Sequence, residues 1–410
     1  MKILHFADLH ARDKDIDEVS KCLMFIVSKA QEERPNLIVF AGDAFHSRDV
    51  KLDSEAARLV IRSFSQLADI APVAAVIGTP SHDGKAPEIL NMVRGKFPVH
   101  VSILPEQIYL FRGAFLNSEN ATAITPEVVI SMLPQPTKEY FSRTTESSIV
   151  EGDQEVGGLL GGVFMGFGAM ADEFRAPHIL VGHFTVKGSV TSTGQQMIGR
   201  EIEVTREALD LARADLVCLG HIHASQKIGN NVFYSGSVYR ENFGEQEDKG
   251  FYIHDIGMLG DSRFIKTPTK RLMKREIDLT DGGIIEGLEK EELKIAFSGE
   301  DFLNSNVRVE IKVWQDEAAQ IDREAIERLL MNSGAESVDI RIIRVPRETV
   351  RSTEIMKLST LRDKIEELAK TRGEGVPASI LEKADLVERL PQEQILERVS
   401  NGLGIGIGYA

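Results

Sequence analysis

The sequence predicts an α/β fold built from layers of helix and sheet. Three short apolar runs, at residues 2–7, 37–41 and 73–77, each end in a polar or glycine-containing turn, as buried strands do. Apolar residues recur at helical spacing between the first and second runs (16–30) and between the second and third (59–67). Strands that alternate with helices in this way are typical of an α/β layer fold.

Further short apolar runs follow in the first 260 residues. They predict strands at 128–132, 163–165, 179–181, 216–219, 232–234 and 251–256. We therefore expect the first domain to span 1–260.

The pattern changes near residue 260. Residues 307–314 and 337–345 alternate like strands around a helical stretch at 322–331, which predicts a small α+β domain over 261–346. Two helical stripes, separated by a turn rich in glycine and proline, then predict a helical segment with a loose, glycine-rich tail over 347–410.

Composition limits the class of protein. The apolar share of 42% is enough for large cores. The sequence contains no run of 18 apolar residues, so we expect no membrane span. We expect no signal peptide, and two cysteines in apolar surroundings, Cys22 and Cys218, indicate a reducing compartment, so a cytoplasmic location is expected. The net charge of −15 argues weakly against a nucleic-acid partner, because phosphate binding requires positive charge only locally.

Chemically active side chains follow five of the predicted strands. They are Asp8 and His10 in DLH, Asp43 and His46 in AGDAFH, His82 and Asp83 in GTPSHD, His183 in VGHF, and His221 and His223 in LGHIH. Because ligands gather at the carboxyl ends of strands in open α/β sheets, we expect these residues to meet at one edge. Carboxylates mixed with imidazoles suit Mn²⁺, Fe²⁺ or Zn²⁺, and a shared carboxylate would hold two cations ~3.5–4 Å apart, as phosphoryl transfer requires.

Each motif alone is a weak signal. A single D-x-H pair is mostly coincidental, and a buried histidine after glycine often only satisfies a backbone carbonyl. Taken together in chain order, however, the motifs resemble the signature of the calcineurin-like metallophosphoesterases: D-x-H, G-D, G-N-H-D, G-H and G-H-x-H.

Within that superfamily the sequence resembles the SbcD/Mre-type DNA repair exonuclease subunits. The GDAFH motif, the segment 234–253 and the layout of the C-terminal third carry this resemblance. It implies two β-sheets flanked by helices, a DNA-capping domain over 261–346, and a C-terminal segment that binds an SbcC-like coiled-coil ATPase. It also implies a homodimer that acts on double- and single-stranded DNA ends.

The resemblance further implies a two-metal site, with Mn²⁺ expected and Mg²⁺, Fe²⁺ or Zn²⁺ as alternatives. The first cation would be held by Asp8, His10, Asp43 and His223. The second would be held by Asp43, His183 and His221, so that Asp43 bridges the two.

Three more residues receive roles from the same resemblance. His82 would stabilise charge on the phosphate or protonate the leaving oxygen, and Asp83 would orient His82 through a hydrogen bond. His46 would position the cleaved strand; the alternative interpretation is an ordinary turn histidine.

One motif departs from the family pattern. The family's G-N-H-D supplies an asparagine ligand to the second cation, whereas this sequence has GTPSHD at 78–83. The hydroxyl of Ser81, or that of Thr79, is the candidate replacement. Because a neutral hydroxyl is a poorer ligand than an amide oxygen, we expect the second site to be weaker or to hold more water.

The expected function is metal-dependent exonuclease and endonuclease activity at DNA ends, in double-strand-break repair or recombination. A basic stretch would contact the DNA backbone through Lys270, Arg271, Lys274 and Arg275, unless it is a solvated linker face. Two other functions stay open: a small-substrate metallophosphodiesterase or phosphatase, and a DNA-binding scaffold with a weakened second metal site. The helical segment could also fold back on its own domain instead of binding an ATPase.

Overall fold

The computed structural model describes residues 1–117, 120, 124–137, 153–192, 202–257, 261–280, 301–346, 355, 357–391 and 394–395. Its strands are β1 Lys2–Phe6, β2 Leu37–Phe40, β3 Val73–Val76, β4 Val99–Ser102, β5 Glu106–Phe111, β6 Ala114–Leu116, β7 Val128–Leu133, β8 His178–His183, β9 Thr185–Val186, β10 Glu203–Val204, β11 Leu216–Gly220, β12 Gln226–Ile228, β13 Val232–Tyr234, β14 Gly250–Asp255, β15 Asp261–Lys266, β16 Arg271–Asp278, β17 Ser305–Trp314 and β18 Ala335–Val345. Its α-helices are α1 Ile16–Glu33, α2 Glu55–Ala68, α3 Asp153–Ala171, α4 Arg206–Asp210, α5 Arg323–Asn332, α6 Leu361–Arg372 and α7 Ala378–Arg389.

The first sheet has six strands in the order β15-β14-β1-β2-β3-β4. Strands β1 to β4 are parallel, whereas β14 pairs antiparallel with β1 and β15 pairs antiparallel with β14. Alternate residues of β1 point to opposite faces, so that Leu4 and Phe6 pack with α1 and α2 while Ile3 packs toward the second sheet. Burial on both faces explains why these strands are continuous apolar runs in the sequence.

The second sheet has seven strands in the order β12-β13-β11-β8-β7-β5-β6. Strands β7, β8, β11 and β13 are parallel. Ile130, Val181 and Cys218 pack against residues of the first sheet, whereas Leu180 packs with α3 on the outer face. The predicted architecture of two β-sheets flanked by helices is therefore confirmed.

One predicted strand, at 163–165, is wrong because these residues lie inside α3. Leu160, Phe164, Phe167 and Ala171 are buried at intervals of four, three and four residues, which is the spacing of one helix face. This face packs on the second sheet. The other predicted strands are confirmed to within two residues at each end.

A three-stranded sheet follows in the order β16-β17-β18. In β17, Val307, Val309, Ile311 and Val313 are fully buried and alternate with less buried residues, as predicted for this strand. The predicted helix at 322–331 is α5, which begins after Asp322, whose side chain accepts a hydrogen bond from Ala325 N at 3.0 Å.

The described residues divide into two compact units. The first lies within Met1–Ile277, Glu286–Ile311 and Asp322–Arg341, and the second within Asp278–Ile285, Lys312–Ile321 and Ile342–Ala410. The domain boundaries expected after residues 260 and 346 stay predictions.

In the second unit, α6 and α7 form a pair. An ion pair joins Arg362 to Asp385 at 2.6 Å, and Gly373, with a φ of 69°, ends α6 in the left-handed conformation. The predicted break between the two helices is therefore confirmed. In the part of the chain that the structure describes, no helix combines the length and apolar character needed to cross a bilayer.

Candidate metal centre

Turns from five strands meet at one edge of the two sheets. Strands β1, β2 and β3 are parallel neighbours in the first sheet, and β8 and β11 are parallel neighbours in the second. Their carboxyl ends bring together two groups of buried metal-binding side chains: Asp8, His10 and His223, and Asp43, His183 and His221. The structure thus places all six predicted charged and imidazole ligands at one site.

The turns that carry these ligands have strained backbones. Asp8, His10, Asp43 and His221 adopt left-handed φ angles of 54°, 39°, 57° and 88°. This conformation costs a side chain with a Cβ roughly 1–2 kcal/mol, and such strain concentrates at functional sites. The ligand turns hold one another in place, because His221 N donates to Asp8 Oδ1 at 2.9 Å and His10 N donates to the carbonyl of Asp43 at 3.1 Å.

Two glycines of the motifs permit this close approach. A Cβ on Gly78 would lie 2.2 Å from Asp43 Oδ1, and a Cβ on Gly220 would lie 2.2 Å from the carbonyl oxygen of Ala41. Real Cβ atoms do not approach so closely. Any larger residue at these positions would push the ligand turns apart.

In the first group, two imidazole nitrogens face each other. His10 Nε2 lies 3.0 Å from His223 Nε2, and both side chains are buried. The opposite nitrogen of His223, Nδ1, lies 3.1 Å from Glu245 Oε1 and donates its proton there. Nε2 is therefore the nitrogen of His223 that is directed toward His10.

In the second group, Asp43 lies between the two sets of ligands. Its Oδ2 is 3.2 Å from His183 Nε2 and 3.6 Å from His10 Nε2, so it contacts one imidazole of each group. His183 Nδ1 donates to the carbonyl of Ala41 at 2.6 Å. Burial alone would lower the pKa of His183, but the Asp43 carboxylate raises it to about 9. Burial would raise the pKa of Asp43, but the neighbouring His183 holds it well below its usual range.

These residues fit two divalent cations. The imidazoles of His183 and His223 each donate one N–H to a protein oxygen, which leaves Nε2 as a ligand atom directed into the site. Imidazole nitrogens and carboxylate oxygens that approach one another at 3.0–3.6 Å in a buried site are stabilised by a cation between them, which replaces the Nε2 protons. The predicted sharing of Asp43 agrees with its position between the groups.

The hydroxyl beside this site is that of Thr79, not Ser81. Thr79 Oγ1 donates to Asp43 Oδ2 at 3.0 Å and lies 3.3 Å from His183 Nε2, while its backbone N donates to Asp43 Oδ1 at 2.6 Å. Ser81 is exposed, and its carbonyl accepts from Arg48 N at 3.1 Å. Of the two candidate replacements for asparagine, Thr79 therefore has the required position, and the assignment of Ser81 as a ligand is corrected.

The predicted hydrogen bond from Asp83 to His82 is wrong. His82 Nδ1 instead donates to the carbonyl of His46 at 2.8 Å. The buried Asp83 carboxylate accepts from the backbone N–H groups of Asp43, Phe45 and Gly78 at 2.8–3.0 Å. Asp83 thus ties the turn after β2 to the turn after β3. Burial and the nearby charge of Asp43 raise the pKa of Asp83 to about 7, even though the hydrogen bonds from Gly78 and Phe45 favour its charged form.

The histidines 46 and 82 lie next to the first ligand group. The ring of His82 is 4.7 Å from that of His10 and 5.9 Å from that of His46. His46 also contacts Arg12 Nη1 through Nε2 at 2.9 Å and lies 3.7 Å from Glu241 Oε1. The structure therefore places both histidines beside His10 at partly exposed positions of the site.

Sequence reasoning missed a buried ion pair behind His223. Glu245 is fully buried, accepts from His223 Nδ1 and is 3.1 Å from Lys249 Nζ. Lys249 also donates to the carbonyl of His223 at 3.0 Å. Glu241 is close to both Glu245 and His223, so these three residues form a third group of possible metal ligands at this edge. Glu245 and Lys249 both lie in segment 234–253, which carries the resemblance, but the spacing of four between them is equally typical of a solvated charge run.

The basic residues predicted to contact DNA lie at the start of β16: Lys270, Arg271, Lys274 and Arg275. Arg271 pairs with Asp301 at 3.0 Å, and Lys274 pairs with Glu310 at 2.9 Å. The neighbouring carboxylates raise the pKa of the exposed Lys274 side chain. Because exposed ion pairs contribute little to stability, phosphate groups could replace these partners, and the DNA contact stays a prediction.

Comparison with known proteins identifies the family. The solved structure of GAP50, the anchor in the inner membrane complex of Plasmodium, is 15% identical over 65% of this chain and 85% of that chain, with a TM-score of 0.44. A dimetal phosphatase from Danio rerio is 11% identical over 65% of this chain and 99% of that chain, with a TM-score of 0.40. The sequence model of the calcineurin-like phosphoesterases matches residues 1–225, more than half of the chain. The chain therefore belongs to the calcineurin-like phosphoesterase family.

Proposed function

We propose that the chain is a metal-dependent DNA nuclease that hydrolyses phosphodiester bonds at DNA ends together with an SbcC-like ATPase. The observation that carries this proposal is the pair of buried ligand groups that meet at Asp43. Family membership supports metal-dependent phosphoester hydrolysis in general. The DNA substrate is supported by the resemblance of GDAFH and of segment 234–253 to SbcD/Mre-type subunits.

The residues of the site have separable roles. Two divalent cations, Mn²⁺ in our proposal, would polarise the phosphate and lower the pKa of an attacking water. Asp8, His10, Asp43, His183, His221 and His223 would hold them. Because His82 Nδ1 donates to the carbonyl of His46, its Nε2 is the atom that can stabilise charge on the phosphate or protonate the leaving oxygen.

A groove beside His46 supports a polymeric substrate. It has a volume of about 400 Å³ and is lined by residues that include Arg12, His46, Val50 and Lys51. A phosphodiester in a strand has a nucleotide on each side of the scissile phosphate, whereas a phosphomonoester has a substituent on one side only. The space next to His46 therefore favours a strand substrate, whereas the charges of Arg12 and Lys51 are balanced by Asp13 and Asp49 in the same lining.

The ion-paired basic stretch favours a second candidate function. Arg271 and Lys274 already have acidic partners, and the chain carries a net charge of −15. Both facts agree with a small-substrate metallophosphodiesterase or phosphatase, which needs no extended basic surface. The two functions share the metal centre and differ in the size of the substrate.

Digestion of linear duplex DNA with Mn²⁺ separates these functions. We expect the chain to degrade the duplex, with and without the ATPase, and to hydrolyse bis(4-nitrophenyl) phosphate. His46→Ala should retain hydrolysis of the small diester and lose most of the digestion of DNA, while Asp43→Asn should lose both. Hydrolysis of the small diester with intact DNA would establish the small-substrate function.

Metal content addresses the remaining alternative of a DNA-binding scaffold. We expect near two Mn²⁺ per chain after equilibrium dialysis, because both ligand groups are complete in all but the asparagine. A chain that binds DNA but no Mn²⁺ under saturating conditions would be a scaffold.

We propose that the helical pair binds the ATPase partner. Several apolar side chains of α6 and α7 are 39–51% exposed: Leu368, Ile380, Leu386 and Val387. Exposed apolar stripes of this kind mark partner surfaces. Deletion of 352–410 should abolish co-purification with the ATPase and leave Mn²⁺-dependent cleavage of single strands intact. Normal co-purification of the truncated chain would contradict this role.

A further inference from the structure

A separate cluster of metal-binding side chains lies between the two sheets. It consists of His5 in β1, Cys218 in β11 and His254 in β14, and the three ligand atoms lie within 4.8 Å of one another. All three side chains are buried, with exposed fractions of 0%, 0% and 1%. None of them belongs to the phosphoesterase ligands described above.

Each imidazole has one ring nitrogen that is hydrogen-bonded to an oxygen outside the cluster. His5 Nε2 lies 3.2 Å from the carbonyl oxygen of Leu219, and since a carbonyl only accepts, Nε2 carries the proton. His254 Nδ1 lies 2.8 Å from Ser262 Oγ. Histidines that bind metals commonly donate their second N–H to an oxygen in this way, which fixes the ring and leaves the other nitrogen as a ligand.

The remaining nitrogens face each other at a distance that suits a metal. His5 Nδ1 and His254 Nε2 are 3.3 Å apart. Two imidazole nitrogens at about 2.0–2.1 Å from a tetrahedral Zn²⁺ lie roughly 3.3–3.4 Å apart. Burial lowers the pKa of His5 to about 3 and that of His254 well below its usual range, so both rings are neutral, as ligands must be.

We propose that His5, Cys218 and His254 bind one soft divalent cation of the Zn²⁺ class. Thiolate and imidazole ligands are the set that Zn²⁺ prefers, and the Cys218 thiol would release its proton to solvent on binding. A cleft of about 560 Å³, lined by residues that include Phe233, His254 and Ser262, gives access to the cluster from the side of His254. The cation would join β1 and β14 of the first sheet to β11 of the second.

Co²⁺ provides a test that the phosphoesterase site cannot mimic. A thiolate bound to Co²⁺ gives a charge-transfer band in the near ultraviolet, and the phosphoesterase ligands include no cysteine. The chain has two cysteines, of which Cys22 lies in the core between the first sheet and its helices. We expect the band in the wild-type chain and in Cys22→Ser, and its loss, with one fewer bound ion per chain, in Cys218→Ser.

Two further variants keep the proposal falsifiable. Asp43→Asn should retain the band, which separates this site from the proposed nuclease. Ser262→Ala removes only the hydroxyl beside His254 and should weaken Co²⁺ binding by ~10–100-fold. No band in the wild-type chain at saturating Co²⁺ would overturn the proposal. The cluster would then be a hydrogen-bonded chain from Ser262 through His254 and His5 to the carbonyl of Leu219.

Discussion

Replacement of Glu245 by glutamine perturbs the metal centre indirectly, because Glu245 contacts the Nδ1 atom of the proposed ligand His223 and not the cation. The buried carboxylate accepts from His223 Nδ1 at 3.1 Å through Oε1 and pairs with Lys249 Nζ at 3.1 Å through Oε2. Glutamine has nearly the same shape but only one acceptor oxygen and no charge. One of these two partners therefore meets an NH₂ group in Glu245→Gln.

The substitution should lower two quantities, the affinity for metal and the free energy of unfolding. Loss of a carboxylate behind a metal-binding histidine lowers metal affinity by ~10–100-fold, or about 1.4–2.8 kcal/mol. Breaking a buried ion pair costs about 3–5 kcal/mol of unfolding free energy. Because Lys249 keeps Glu247 at 2.8 Å and the carbonyl of His223 at 3.0 Å, we expect a loss at or below the lower end of that range.

Titration calorimetry with Mn²⁺ and denaturant unfolding of the metal-free chain measure the two effects separately. Glu247→Gln is the matched control, since Glu247 contacts Lys249 and Ser192 instead of His223. We expect the control to lose stability and keep its Mn²⁺ affinity, whereas Glu245→Gln loses both. A folded Glu245→Gln chain with wild-type Mn²⁺ affinity would show that Glu245 does not act through His223.

Three other predictions follow from the same geometry. His82→Ala should abolish cleavage and leave DNA binding largely intact, as measured by single-turnover digestion and gel shift; unchanged cleavage would refute its role. Gly78→Ala should lower Mn²⁺ affinity in calorimetry because its Cβ would lie 2.2 Å from Asp43 Oδ1, while Gly166→Ala, with open space around its Cβ, is the control. Mn²⁺ at 100 times its Kd should raise the unfolding free energy by about 2.7 kcal/mol per site, and an equal rise in Asp43→Asn would contradict a shared ligand.

The ligands could be predicted from sequence because each stands at the end of a strand that is buried on both faces, or just after it. Such strands are unbroken apolar runs, so the first polar residue after each run marks the carboxyl edge of the sheet. Asp8 and Asp43 after β1 and β2, and His221 after β11, follow this rule. The rule fails in α3, because its apolar run predicts a strand at 163–165 and the structure has a helix there.

Contacts between turns that are distant in the chain could not be predicted from the sequence. Asp83 follows His82 directly, yet its carboxylate binds backbone N–H groups of two turns, one of them about 40 residues earlier. Glu245 and Lys249 occur in a run of charged residues, which ordinarily indicates a solvated turn. Only the folded path of the chain brings Glu245 against His223, 22 residues before it.

The net negative charge of the chain does not exclude a nucleic-acid substrate. It implies that cations bind at the acidic edge before a phosphodiester does. Asp8, Asp43, Glu241 and Glu245 are carboxylates at one edge, and although burial opposes it, His10 and His46 hold the pKa of Glu241 well below its usual range. Because local charges decide contacts, cations bound at this edge would offset the negative charge that His183 and Lys249 leave unpaired, and they would thereby favour a phosphodiester. Substrate affinity should therefore depend on bound cations at this edge, and the net charge of −15 says little about the field that a phosphate meets there.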